Sequence, residues 1–117
     1  IAVQLTSGGS IISTPSAVQS LDITSINSNL TIAPADSFVL IITDTTASRT
    51  ITLPLASSVT AGRLFVVKDK DGLSNTNPIT IATQGGDLIE AAASFTIDSN
   101  RASTWVVSDG ASNWYVF

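Results

Sequence analysis

Short runs of β-branched residues, separated by turn residues, constrain the fold of this chain more than any other feature. Valine, isoleucine and threonine carry a stiff, branched Cβ that suits a pleated sheet. Residues 50–55 (TITLPL) alternate, so Ile51, Leu53 and Leu55 share one face of a strand. Residues 38–43 (FVLIIT) are continuously apolar, which is typical of a central strand buried on both faces.

Nine strands are predicted in this way, over residues 21–26, 29–33, 38–43, 50–55, 63–69, 78–83, 94–98, 103–108 and 113–117. The dipeptides Asp71-Gly72 and Asp109-Gly110 mark tight turns, because Asp and Gly tolerate positive φ. Residues 88–93 (LIEAAA) look helical but are too short for more than a turn. The pattern predicts an all-β fold: a β-sandwich or jelly roll of about 8–10 short antiparallel strands.

The start of the chain differs from the rest in composition. Residues 7–16 (SGGSIISTPS) are rich in Ser, Gly and Pro around the apolar pair Ile11 and Ile12. We predict an extended N-terminal arm over residues 1–20 and one β-sandwich domain over residues 21–117. In an assembly, Ile11 and Ile12 would anchor this arm on a neighbouring subunit or on a capsid protein. A plain terminal segment or an edge strand is the alternative reading.

The charged residues argue against several classes of function. The chain has five basic and nine acidic residues, and its net charge is -4. The basic residues are too few and too scattered for a phosphate-binding face, so we expect no nucleic-acid partner. The longest strongly apolar run is far shorter than the ~20 residues of a membrane-spanning helix, so we expect no membrane partner.

Catalysis and metal binding also lack the residues they need. The chain has no histidine and no cysteine, which removes the usual general base and the thiolate metal ligands. Residues 68–72 (KDKDG) lack the ligand spacing of a calcium loop. Asp87 and Glu90 are close in sequence but make no convincing glycosidase pair. We expect no enzymatic activity, no cofactor and no metal.

The low charge content predicts an oligomer. Charged residues make up 12% of the chain and its mean hydropathy is +0.38, whereas about 25% charge is usual. A small monomer has a large surface relative to its volume, so much apolar surface is expected to be buried between subunits.

Aromatic residues cluster near the C-terminus: Trp105, Trp114 and Tyr115, with Phe95 and Phe117. The favoured interpretation is that Trp105 and Trp114 form a core or inter-subunit pair across a hairpin. Stacking of exposed aromatics on a sugar ring is the alternative.

From about Thr45 onward, the chain resembles a β-rich module of bacteriophage and other viral structural proteins, which include tail fibres, head fibres and capsid decoration proteins. The resemblance is carried by RTITLP (49–54), SVTAGR (58–63), KDKDG (68–72), NPITI (77–81), GDLI (86–89) and SDGASNW (108–114). Such modules are typically trimeric, so the resemblance implies a homotrimer on the outer surface of a virion, on its capsid or a fibre.

Composition and resemblance together predict a capsid decoration (cement) or head-fibre protein that stabilises a phage particle. Its partners would be its own copies and the major capsid protein or other virion proteins. Contacts between subunits or with the capsid are expected at Ile11, Ile12, Trp105, Trp114 and Tyr115. The alternative is the receptor-binding tip of a tail fibre, with a host-surface glycan as its ligand. A polysaccharide depolymerase would need an acid pair in a groove.

Overall fold

The computed structural model describes residues 20–117, so Ile11, Ile12 and all but the last residue of the predicted arm lie outside the described residues. The described chain forms β1 (Ile23–Ile26), β2 (Leu30–Thr31), β3 (Leu40–Thr43), β4 (Arg49–Thr52), β5 (Leu64–Asp69), β6 (Ile79–Ala82), β7 (Leu88–Ile89), β8 (Ser94–Ile97), β9 (Ser103–Ser108) and β10 (Asn113–Val116). A short 3-10 helix, Ala56–Ser58, precedes β5. The all-β prediction is confirmed, and all nine predicted strands are present; β7 was expected to be a turn. No helix among residues 20–117 is long and apolar enough to cross a membrane.

The strands form two sheets, one with the order β1-β3-β5-β9-β10-β7 and one with the order β2-β4-β6-β8. The first six strands alternate between the sheets. β1, β3 and β5 pair parallel in the six-stranded sheet, and β2, β4 and β6 pair parallel in the four-stranded sheet. The chain therefore winds through three successive coils, and each coil adds one strand to each sheet.

This winding corrects the prediction of antiparallel strands, which is wrong for five of the eight pairings. The physical reason is the course of the connections: the chain leaves β1, crosses to the other sheet as β2, and returns as β3 in its original direction. Parallel neighbours need such a crossover. The strands of a jelly roll pair antiparallel, whereas here only β5–β9, β9–β10 and β6–β8 do so among the described residues.

The facing sides of the two sheets share one hydrophobic core. The six-stranded sheet contributes Ile41, Phe65, Val67, Ile89, Val106 and Trp114, and the four-stranded sheet contributes Ile51, Ile79, Ile81 and Ile97. Burying one such side chain contributes about 1.5–3 kcal/mol. Because side chains alternate along a strand, every second residue of each strand points away from this core.

Candidate functional site

The outward side of the six-stranded sheet is largely apolar. Ten of its fourteen outward positions carry large apolar or aromatic side chains, which we call the apolar face: Ile23, Leu40, Ile42, Leu64, Val66, Leu88, Trp105, Val107, Tyr115 and Phe117. The other four positions are Ser25, Lys68, Ser103 and Asn113. Lys68 is thus the one charged residue on this side of the described sheet.

The strand register aligns five residues of the apolar face in one row. Ile23 lies opposite Leu40, Leu40 opposite Val66, and Val66 opposite Trp105. Phe117 completes the row, because its backbone N–H donates to the Trp105 carbonyl at 2.9 Å. The two ends of the row are open to solvent: Ile23 is 57% exposed and Phe117 is 77% exposed.

A second apolar row lies beside the first. Leu64 is opposite Val107, and Val107 is opposite Tyr115. Tyr115 is therefore a diagonal neighbour of Trp105, within reach of a large side chain. The two rows make one continuous apolar surface across most of the sheet.

The four-stranded sheet presents a very different outer side. Its outward positions are Thr31, Thr50, Thr52, Thr80, Ala82, Ser94 and Thr96, which we call the threonine face. Thr50, Thr80 and Thr96 form one row across three strands. Threonine keeps the branched Cβ that favours a strand and adds a hydroxyl that hydrogen-bonds water. The outer side of this sheet is therefore suited to contact with solvent, whereas the apolar face of the six-stranded sheet is not.

The aromatic residues of the predicted C-terminal cluster do not lie together: Phe95 is in the four-stranded sheet, and the others lie on two sides of the six-stranded sheet. Trp114 is fully buried, with its ring centroid 5.9 Å from that of Phe65, whereas Trp105 is 53% exposed. The predicted pairing of Trp105 with Trp114 across the hairpin is wrong, because the register sets Trp114 opposite Ser108. Trp105 and Tyr115 do lie together, on the apolar face.

Sequence reasoning missed most of the apolar face. Ile23, Leu40, Val66 and Phe117 had not been singled out as contact residues. Residues 38–43 did contain a signal for a second apolar face, because apolar residues occupy both the inward and the outward positions of this segment. It predicted a strand buried on both faces, and the second face of β3 is the apolar face.

The KDKDG segment contains a buried carboxylate, that of Asp69. Its oxygens accept hydrogen bonds from the Thr45 hydroxyl (2.6 Å) and from the backbone N–H groups of Asp71 (3.1 Å), Gly72 (2.8 Å), Ser74 (3.1 Å) and Arg101 (2.9 Å). Burial disfavours the charged form, but these hydrogen bonds outweigh it and hold the pKa of Asp69 well below its usual value. Asp69 therefore ties together the loops that follow β3, β5 and β8.

Two shallow grooves lie on the surface of the described residues. One, of about 200 Å³, lies between β8 and β9, and its lining includes Phe95 and Thr104. The other, of about 420 Å³, is lined by Pro34 and residues 58–63. Its guanidinium, that of Arg63, donates to the backbone carbonyls of Asp36 and Phe38. The lining of the first groove combines the Phe95 ring with polar side chains that include Asp98 and Ser103, whereas the second groove has no aromatic ring in its lining.

No protein-family model and no curated protein matches the chain. The resemblance to viral structural modules therefore rests on the sequence motifs alone.

Proposed function

We propose that this chain is a non-enzymatic structural subunit of a virus particle, a homotrimeric capsid decoration (cement) or head-fibre protein of a bacteriophage. It would lie on the outer surface of the virion and stabilise it. The observation that carries the proposal is the apolar face: ten large apolar residues outward on a chain with 12% charged residues. A subunit that works by burying surface needs such a face.

The rest of the molecule suits this role. In this proposal the two sheets act as a β-sandwich, with the apolar face turned towards other subunits and the threonine face turned towards solvent. Asp69 braces three loops at one end of the sandwich. The N-terminal arm, residues 1–20, is proposed to contact the major capsid protein or a neighbouring subunit through Ile11 and Ile12.

The position on the particle tests the proposal directly. The protein is labelled on intact virus particles, and the label is imaged by electron microscopy. A regular lattice of label over the head supports a decoration protein. Label confined to the tail excludes decoration, and particles without any label exclude a virion role.

The second candidate is a receptor-binding tip of a tail fibre, favoured by the exposure of Trp105 and Tyr115 as diagonal neighbours. Aromatic rings of this kind can stack on a sugar. Quenching of Trp105 fluorescence by host-surface glycans, together with label at the fibre tips, would favour this function over decoration.

A further inference from the structure

We infer that the apolar face is the surface through which copies of this chain pack on one another, with the same face of the other copies in the oligomer as its occupant. This inference rests on the proposed homo-oligomeric function and names the contact that would hold the oligomer together.

The exposed apolar area reaches the upper end of what a monomer normally leaves exposed in one patch, about 300–600 Å². Five large side chains of the apolar face are between 41% and 77% exposed: Ile23, Leu88, Trp105, Tyr115 and Phe117. Since an aromatic side chain has about 150–250 Å² to bury, these five together expose on the order of 600 Å². The partly exposed residues between them add to this. A stable interface takes about 800 Å² from each partner, so the face matches one subunit's share.

The threonine face provides an internal comparison. It belongs to the same chain and the same kind of strand, yet its seven outward positions are threonine, serine and alanine. One sheet of this chain therefore has an outer side composed of small and hydroxyl-bearing residues that suit contact with water. The outer side of the six-stranded sheet lacks such a composition. The continuous apolar run that includes Leu40 and Ile42 agrees, because such runs are typical of strands covered on both faces.

Charge favours a second copy as the occupant. None of the nine acidic residues lies among the outward positions of the six-stranded sheet, and Lys68 is its one cation. Two copies can thus meet through this face without opposing their negative charges. A strongly charged partner could form an ion pair on this face only with Lys68. An uncharged, apolar sheet face is the best match, and a copy of this chain provides one.

The row geometry identifies the centre of the contact. Val66 and Trp105 occupy the third and fourth positions of the five-residue row, and Tyr115 lies diagonally beside Trp105. Aromatic residues near the middle of an interface commonly carry most of the binding free energy. Trp105 and Tyr115 should therefore dominate assembly, and Lys68 should lie towards the margin.

The test compares the wild type with Trp105→Thr/Tyr115→Thr. Threonine favours strands, so the fold should persist, which circular dichroism checks. The matched control, Thr80→Ser/Thr96→Ser, alters two positions of the threonine face. Light scattering over a concentration series gives the mass of each. We expect the first pair to weaken association at least about 30-fold, and the control to leave it unchanged.

A second measurement keeps the inference testable if the double variant folds poorly. Trp114→Phe leaves Trp105 as the one tryptophan, and it removes a buried indole N–H that has no hydrogen-bond partner among the described residues. On assembly, the Trp105 emission should shift to shorter wavelength, and acrylamide quenching should fall. Dilution should reverse both changes.

The outcomes separate the inference from the proposed function. An oligomer whose mass survives the double substitution, with Trp105 still quenched, overturns the inference and leaves the homo-oligomer in place. A wild type that stays monomeric at every concentration overturns both the inference and the homo-oligomeric function. Trp105 that becomes protected only on addition of capsid shells also overturns the inference, because the face then binds a different protein.

Discussion

Trp105 and Trp114 lie on adjacent strands of one sheet, yet Trp114 is fully buried and Trp105 is 53% exposed on the opposite side. They differ by nine positions in sequence but belong to opposite faces, because the hairpin register pairs Trp114 with Ser108. The two tryptophans should therefore respond to substitution in opposite ways.

We expect Trp114→Ala to lower the free energy of unfolding by about 3–5 kcal/mol, because it leaves a cavity beside Phe65. Trp105→Ala should lower it by about 1 kcal/mol or less. Urea denaturation, at concentrations low enough to keep the chain monomeric, measures both. Equal losses would contradict the assignment of the two rings to opposite faces.

Asp69→Asn should destabilise the protein by about 3 kcal/mol at neutral pH. The amide keeps the size of the carboxylate but has one oxygen acceptor in place of two, while four backbone N–H groups and the Thr45 hydroxyl converge on this site. Hydrogen bonds to a charged group contribute about 1.5–3 kcal/mol each. Asp98→Asn, at an exposed position of the adjacent loop, is the control and should change little.

The effect of Asp69 should depend on pH in one direction. Its folded-state pKa lies below the unfolded value near 3.8, so its stabilising contribution is fully present above pH 3.8 and is lost as the pH falls towards the folded-state pKa. Denaturation curves from pH 7 to pH 2 should show a constant gap between wild type and Asp69→Asn above about pH 5 and a narrowing gap below pH 3.8. A gap that widened in acid would contradict the assignment.

Asp109 should titrate at an unusually low pH for a partly exposed aspartate. Backbone N–H groups of Asn113, Ala111 and Ser112 and the Asn113 side chain donate to its carboxylate, and they lower its pKa to about 2. Carbon-13 NMR of the carboxyl group follows this titration directly. Asn113→Ala removes one donor and should raise the pKa, whereas a wild-type value near 3.8 would mean that the turn is open in solution.

Gly110→Ala should destabilise the protein more than Gly86→Ala. Both glycines have positive φ, but a Cβ on Gly110 would lie 2.9 Å from the backbone nitrogen of Ala61, whereas one on Gly86 would meet no atom within 4 Å. We expect a loss of about 1 kcal/mol at Gly86 from backbone strain and of about 3 kcal/mol at Gly110 from strain plus the clash. Thermal unfolding of the two variants provides the comparison. Equal losses of stability would mean that Ala61 lies farther from Gly110 than in this structure.

Strand positions were predictable from the sequence because they depend on local pattern. The alternation in residues 50–55 and the turn at Asp109-Gly110 identified β4 and the β9–β10 hairpin. β7 was not predictable, since its two residues, Leu88 and Ile89, owe their strand conformation to pairing with β10 and not to their own composition.

The direction of each strand relative to its neighbours was not predictable from the sequence. It depends on whether the chain, after a turn, continues in the same sheet or crosses to the other one. The apolar run in residues 38–43 is the same whether its outward side meets a helix, another sheet or another subunit. The candidate site was therefore predicted only in part. Trp105 and Tyr115 were identified as aromatic residues, but the row that joins Trp105 to Ile23 depends on the register of four strands.

The coil winding of the first six strands has a geometric consequence for molecules built in this way. In a sheet made of hairpins, inserting one strand reverses the direction of every strand that follows. Here each coil adds one strand to each sheet and returns the chain to its starting direction. Duplicating or deleting a coil would thus change the length of the protein along the stack without reversing any remaining strand.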